Sequence, residues 1–160
     1  MGLDVNSEKG LISVSQESMM LKYVSEMWNC DIITTDKTKE GKCDGFIVKN
    51  GILKGLFESK CRNMTIDQLE KFDSWLVTNE KLESCRLMSE LLRVPLFGFL
   101  YLVDDNVSMY WKITDEYGNY LFKFDIEKTK TQKNINGGQI IRPNAYLPVK
   151  YAKYFKKLKQ

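Results

Sequence analysis

Asp44, Glu58 and Lys60 fall within 17 positions of one another, the last two in the pattern Glu-x-Lys. The segment around them reads as a hairpin: Cys43 to Val48 as one strand, a turn at Lys49-Asn50-Gly51, and Ile52 to Cys61 as the returning strand. Residues two apart on a strand share a face, so Glu58 and Lys60 project together while Phe57 and Ser59 turn away. Asp44 joins them in only one of two registers. A strict two-residue Asn-Gly loop pairs Asp44 with Phe57, on the wrong face, whereas a three-residue Lys-Asn-Gly loop pairs it with Leu56, on the face of Glu58. The site therefore requires an odd-length turn or a β-bulge. Two carboxylates held a few ångströms apart repel unless a cation lies between them, which points to a hard divalent metal, Mg²⁺ or Mn²⁺. Such an ion binds a phosphate oxygen and acidifies water, and Lys60 is placed to orient that water or to stabilise the transition state. The competing reading makes Asp44 a strand-opening residue and Glu58 with Lys60 a surface ion pair.

Composition narrows the chemistry in the same direction. The chain contains no histidine, which removes the usual imidazole base, metal ligand and nucleophile relay. Cys30, Cys43, Cys61 and Cys85 are 13, 18 and 24 residues apart with no CxxC pair. They read as reduced thiols of a cytoplasmic protein, without a zinc site. The first residues include acids and no long apolar run, so no signal or transit peptide is expected, and Gly2 with Ser7 does not fit the myristoylation spacing. The longest apolar run, Val94 to Val103, is broken by Pro95 and Gly98 and is too short to span a bilayer. At 160 residues the chain is one domain's worth, with a core over about 11–126 and a basic tail over about 128–160. The net charge of +3 is segregated: residues 128–160 hold nine Lys or Arg and no acid, leaving 15 basic against 21 acidic residues before them. Such segregation suits a polyanionic partner and equally suits a solubilising terminus.

Apolar spacing predicts a helix over about Ser15 to Trp28, with Met20, Leu21, Val24, Met27 and Trp28 on one stripe, then an extended Asp31 to Thr35 and a polar loop TDKTKEGK. After the hairpin, a helix over roughly Asp67 to Val77 and another over about Lys81 to Arg93 are expected. A β-rich run follows: Leu96 to Val103, Val107 to Thr114 and Tyr120 to Ile126, separated by Asp-Asp-Asn and Tyr-Gly-Asn turns. This order predicts an α/β sandwich with helices flanking a mixed β-sheet and a β-rich, basic C-terminal extension.

The stretch DGFIVKNGILKGLFESKCR resembles the core hairpin of the PD-(D/E)XK nuclease superfamily, in which an acid opens one strand and an acid, any residue and a lysine follow on the next. The resemblance implies a restriction-endonuclease-like core over residues 11–103, metal binding by Asp44 and Glu58, and assistance to the attacking water by Lys60. Cys43 stands where the family often has proline. Members usually carry another glutamate on the preceding helix. Here Glu17, at three, four and seven residues from Met20, Leu21 and Val24, shares the core-facing stripe and is preferred as a metal ligand to Glu26, which lies towards the polar side. QESMMLKYVSEMWN also resembles the first helix of archaeal Holliday-junction resolvases. The bland alternative makes Glu17 a helix N-terminal acid favoured by the dipole.

Gln68 and Phe72 resemble the Gln-x-x-x-Tyr element of exonuclease-like and RecB-like members, while Thr65-x-x-Gln68 is also a capping box. The capping role is the stronger reading, with Phe72 as ordinary core. Candidate DNA contacts are Lys54, Arg62, Arg142 behind Gly137-Gly138, and Lys150, Lys153, Lys156, Lys157 and Lys159; Tyr151, Tyr154 and Phe155 would stack on bases or dock the tail. The sequence thus predicts a Mg²⁺-dependent deoxyribonuclease, an endonuclease acting on double-stranded or branched DNA, for which a homodimer is plausible because one small site cuts one strand. The alternative is a catalytically inactive DNA-binding or regulatory protein with the same fold. The short, Lys-rich chain suits a phage or mobile element.

Overall fold

The computed structural model describes residues 8–35, 43–134 and 137–154, so most of the predicted polar loop, and Phe155, Lys156, Lys157 and Lys159, lie outside the described residues. The fold is α/β, a mixed sheet flanked by helices. Helix α1 (Glu8–Trp28) leads into β1 (Asp31–Thr34), β2 (Gly45–Lys49) and β3 (Ile52–Arg62). Then come α2 (Ile66–Phe72), β4 (Ser74–Thr78), α3 (Asn79–Leu92), β5 (Leu96–Leu102) and β6 (Val107–Lys112). The long strands β7 (Asp125–Asn134) and β8 (Gly137–Pro148), a 3-10 turn over Val149–Tyr151 and the short β9 (Lys153–Tyr154) complete the order. The main sheet runs β1-β2-β3-β5-β6-β9, with β3 and β5 parallel and its other neighbours antiparallel; β4-β8-β7 form a second, antiparallel sheet. Among the described residues no helix is long and apolar enough to cross a membrane.

Each face of the main sheet has its own core. On one side Met20, Leu21 and Val24 of α1 cover Ile47, Phe57, Phe99 and Tyr101. On the other, Leu82 and Cys85 of α3 and Trp75, Ala145 and Leu147 of the second sheet cover Leu56, Leu96, Leu100 and Trp111. The Trp75 and Trp111 rings meet at 5.1 Å. Gly98 makes room for this contact, since a Cβ there would sit 2.7 Å from the Trp75 ring.

Several elements differ from the sequence expectations. Residues 74–77 do not continue a helix: Asp73 takes a left-handed φ of 61° and closes α2, and Trp75 and Val77 then alternate in burial with their neighbours as β4. Phe72, read as core, is 69% exposed, and Met27, assigned to the apolar stripe, is 46% exposed. Helix α1 begins at Glu8, earlier than Ser15; Leu11 and Ile12 in its first turns are exposed, so they do not extend the buried apolar stripe that marks the helix in the sequence. Tyr120 to Ile126 contributes one bridge, Thr114 to Tyr120, before β7 opens at Asp125. The segment read as a basic tail is largely the β7-β8 hairpin, whose Ala145 and Leu147 belong to the core.

The hairpin register resolves in favour of the bulge. Lys49 pairs directly with Ile52 around Asn50 and Gly51, whose φ values of 52° and 73° suit a two-residue primed turn. The register then shifts: Val48 faces Leu53 but Ile47 faces Gly55, leaving Lys54 as the extra residue. Gly45 fixes the site end of β2, because a Cβ there would lie 2.4 Å from the Ile33 carbonyl oxygen and 2.5 Å from the Phe57 ring. Gly45→Ala is expected to lower unfolding stability in urea by about 1–3 kcal/mol. A change under about 0.5 kcal/mol, ordinary for an uncrowded position, would show that β1 moves aside.

Candidate active site

Beyond the bulge, Gly45 pairs with Phe57, so Asp44 arrives beside Glu58. The Asp44 backbone is held on both sides: its N–H donates to the Phe57 carbonyl at 3.0 Å, and its carbonyl accepts from the Thr35 N–H at 2.9 Å and hydroxyl at 3.1 Å. Its side chain is equally fixed, since the Ser59 N–H donates to Oδ2 at 2.8 Å. Glu58 is 1% exposed, and its Oε1 accepts from the Cys85 thiol at 3.2 Å. The remaining oxygens of the two acids meet at one cation. The Lys81 ammonium, reaching from the first turn of α3, lies 2.9 Å from Asp44 Oδ1 and 3.1 Å from Glu58 Oε2.

Glu17 is buried, as its place on the apolar stripe implied, but α1 covers the face opposite Glu58. Its Oε1 accepts from the Ser59 hydroxyl at 3.1 Å, so Ser59 links Glu17 to Asp44 through its hydroxyl and its amide. Among the described residues no three acidic or thiol groups gather on a single point. Lys60 is half-buried on the Glu58 face and carries the electrostatic imprint of the cluster: burial and Lys81 lower its pKa, against Asp44, Glu58 and Glu17.

Burial, and then the charge of Asp44, pushes the Glu58 carboxyl up to about 7, against the opposing pull of Lys81, Lys60 and Cys85. Burial works against the Lys81 ammonium, but Glu58 and Asp44 outweigh it and its pKa is raised. Burial, then Glu58, raises the Cys85 thiol well above its ordinary range, so it serves as an S–H donor. Cys43, desolvated and near both acids, is pushed up to about 11. None of the four cysteines is in a disulfide.

The other candidates do not converge here. Gln68 forms the capping box, its Oε1 accepting from the Thr65 N–H at 2.9 Å and its own N–H donating to Thr65 Oγ1 at 3.2 Å. Lys54 is exposed at the bulge, four residues and roughly 13 Å of strand from Glu58. Arg62, exposed at the far end of β3, turns back to the Cys61 carbonyl at 3.1 Å. Arg142 lies on the β7-β8 hairpin, with Nε donating to Thr131 Oγ1 at 3.1 Å. Lys150 sits over the Tyr151 ring at 5.1 Å. Lys153 belongs to β9 and borders a cleft of about 490 Å³ whose walls include Trp28, Phe97, Tyr110, Phe122 and Tyr151. Tyr151 stacks on Phe122 at 4.8 Å, and β9 pairs with β6, so Tyr151 and Tyr154 help to dock this segment.

Ser59, Lys81 and Cys85 were missed from sequence. A signal for two of them was present: Lys81 and Cys85, four apart, straddle the buried face of Leu82 and Ser89 on α3. A lysine on that face invites the reasoning applied to Glu17. Comparison with protein-family models, curated proteins and solved structures finds no match.

The raised Glu58 sets a pH dependence. Its carboxyl titrates at an ordinary 4.5 when unfolded and at about 7 when folded. The folded state then binds the extra proton, so this contribution is fully present below the unfolded value and is lost as pH rises through 7. Its size is roughly 3 kcal/mol. Glu58→Gln is expected to remove this fall from the urea-unfolding profile over about pH 4.5–7; an unchanged slope in the variant would assign the fall to other groups.

Proposed function

We propose that the chain is a Mg²⁺- or Mn²⁺-dependent deoxyribonuclease of the PD-(D/E)XK type. The observation that carries this reading is the convergence of two buried carboxylate oxygens, Asp44 Oδ1 and Glu58 Oε2, on one cation at 2.9 and 3.1 Å. The element order supports it, since a helix, an antiparallel three-strand unit, further helices and a strand parallel to β3 come in an order compatible with the one the resemblance implies. The donor set fits a hard divalent ion: two carboxylates already share one point of positive charge, with the oxygens Mg²⁺ and Mn²⁺ prefer.

Asp44 and Glu58 would hold the ion, with Glu17 acting on their surroundings through Ser59. When bound, the ion supplies charge neutralisation at the phosphodiester and acidifies water for attack. Ser59 keeps Asp44 Oδ2 turned inward, and Cys85 does the same for Glu58 Oε1. Lys60, on the Glu58 face, would orient water and oppose charge growing on the phosphate. The described candidate DNA contacts are spread over β3, β8, the 3-10 turn and β9, so substrate binding would rest on the field of several surfaces, with a salt slope that falls as contacts are removed.

A second reading has an observation of its own. Lys81 neutralises both acids within the chain, as suits a nuclease-fold DNA-binding or regulatory protein that has no need of a metal. Labelled linear, supercoiled, single-stranded and four-way-junction DNAs, incubated with Mg²⁺ or Mn²⁺, separate the two. The nuclease reading expects cleavage that Glu58→Ala and Lys60→Ala each reduce on the order of a hundred-fold or more. Salt-sensitive DNA binding without cleavage under either metal would favour the second reading.

A further inference from the structure

The Lys81 ammonium stands at the meeting point of Asp44 Oδ1 and Glu58 Oε2. The other oxygen of each acid is engaged elsewhere: Asp44 Oδ2 with the Ser59 amide at 2.8 Å and Glu58 Oε1 with the Cys85 thiol at 3.2 Å. Those contacts come from a strand amide and a helix side chain on fixed elements, so the two oxygens that meet Lys81 keep aiming at the same point whichever cation stands there. Two buried carboxylates without a counter-charge are strongly unfavourable, so the fold needs a cation at this place before any metal arrives. Lys81 meets that need with a flexible stem and a side chain that is 30% exposed, against 10% for Asp44 and 1% for Glu58. Of the three it has the open route to solvent.

We propose that Lys81 is a built-in counter-cation that competes with a divalent metal for the Asp44–Glu58 pair, closing the site without metal and withdrawing when metal enters. The proposal rests on the nuclease reading for the class of ion. Folding then does not depend on metal, and apparent metal affinity is reduced by the small fraction of molecules in which the ammonium has already withdrawn. Lys81 is a positioning residue here, and its influence on any reaction runs through the two acids.

The test is Mn²⁺ binding, followed by electron paramagnetic resonance and calorimetry, to the full chain and to its Lys81→Met and Lys81→Gln variants. Lys81→Gln retains a hydrogen-bond donor for one carboxylate and covers the case in which Lys81→Met does not fold. Both variants are expected to bind Mn²⁺ on the order of ten-fold more tightly than wild type, as when a competent state populated about one time in ten becomes dominant. Their melting temperatures should fall without metal and recover with it, whereas wild type should respond weakly. In the wild-type chain, acetylation of Lys81 followed by mass spectrometry should accelerate when Mn²⁺ is added. Equal or weaker Mn²⁺ binding by the variants, or Lys81 acetylation insensitive to the metal, overturns the proposal. Absence of Mn²⁺ binding in every form overturns it together with the metal-dependent nuclease reading. Tighter binding by the variants with no DNA cleavage by any form leaves the counter-cation standing and removes the nuclease.

Discussion

Burying two carboxylates side by side is the constraint around which the site end of this molecule is organised. Asp44 and Glu58 come together because one extra residue, Lys54, shifts the β2-β3 ladder after an ordinary two-residue turn. Once they are adjacent, their charges must be met. The backbone of Ser59, the thiol of Cys85 and the ammonium of Lys81 meet them from three directions. Removing one member of such a buried set typically costs about 3–5 kcal/mol, because the others are left without compensation.

That constraint explains why elements on both faces of the sheet are needed. Helix α3 supplies Lys81 and Cys85 on one side, and α1 supplies Glu17 to Ser59 on the other. The second sheet, through Trp75, Ala145 and Leu147, completes the apolar layer shared with Leu82 and Cys85 of α3. Gly45 and Gly98 make two close approaches possible: Gly45 lets β1 and Phe57 close on β2, and Gly98 lets Trp75 reach the main sheet.

Local pattern revealed the parts of this arrangement that are local. Period-2 spacing put Glu58 and Lys60 on one face, the register argument required a bulge or odd-length turn, and the stripe of Met20, Leu21 and Val24 marked Glu17 as inward-facing, all features found in the fold. Non-local pairing hid the rest. Strand β4 is five residues long and pairs with β8, about 70 positions away, so it reads as the end of a helix. The alternating Lys and Thr residues of β7 present no apolar face, so this long strand reads as a solvated tail. Lys81 escaped notice because a lysine is ordinarily assigned to solvent, although its helical neighbours Leu82 and Cys85 are fully buried.

The proposed competition is between Lys81, which bridges Asp44 Oδ1 and Glu58 Oε2, and a divalent metal. A crystal structure of the chain grown with Mn²⁺, with an anomalous difference map, tests it most directly. The account predicts an anomalous peak between the two carboxylates, with the Lys81 ammonium displaced from them. No peak there, with Lys81 still bridging both acids at saturating Mn²⁺, would contradict it.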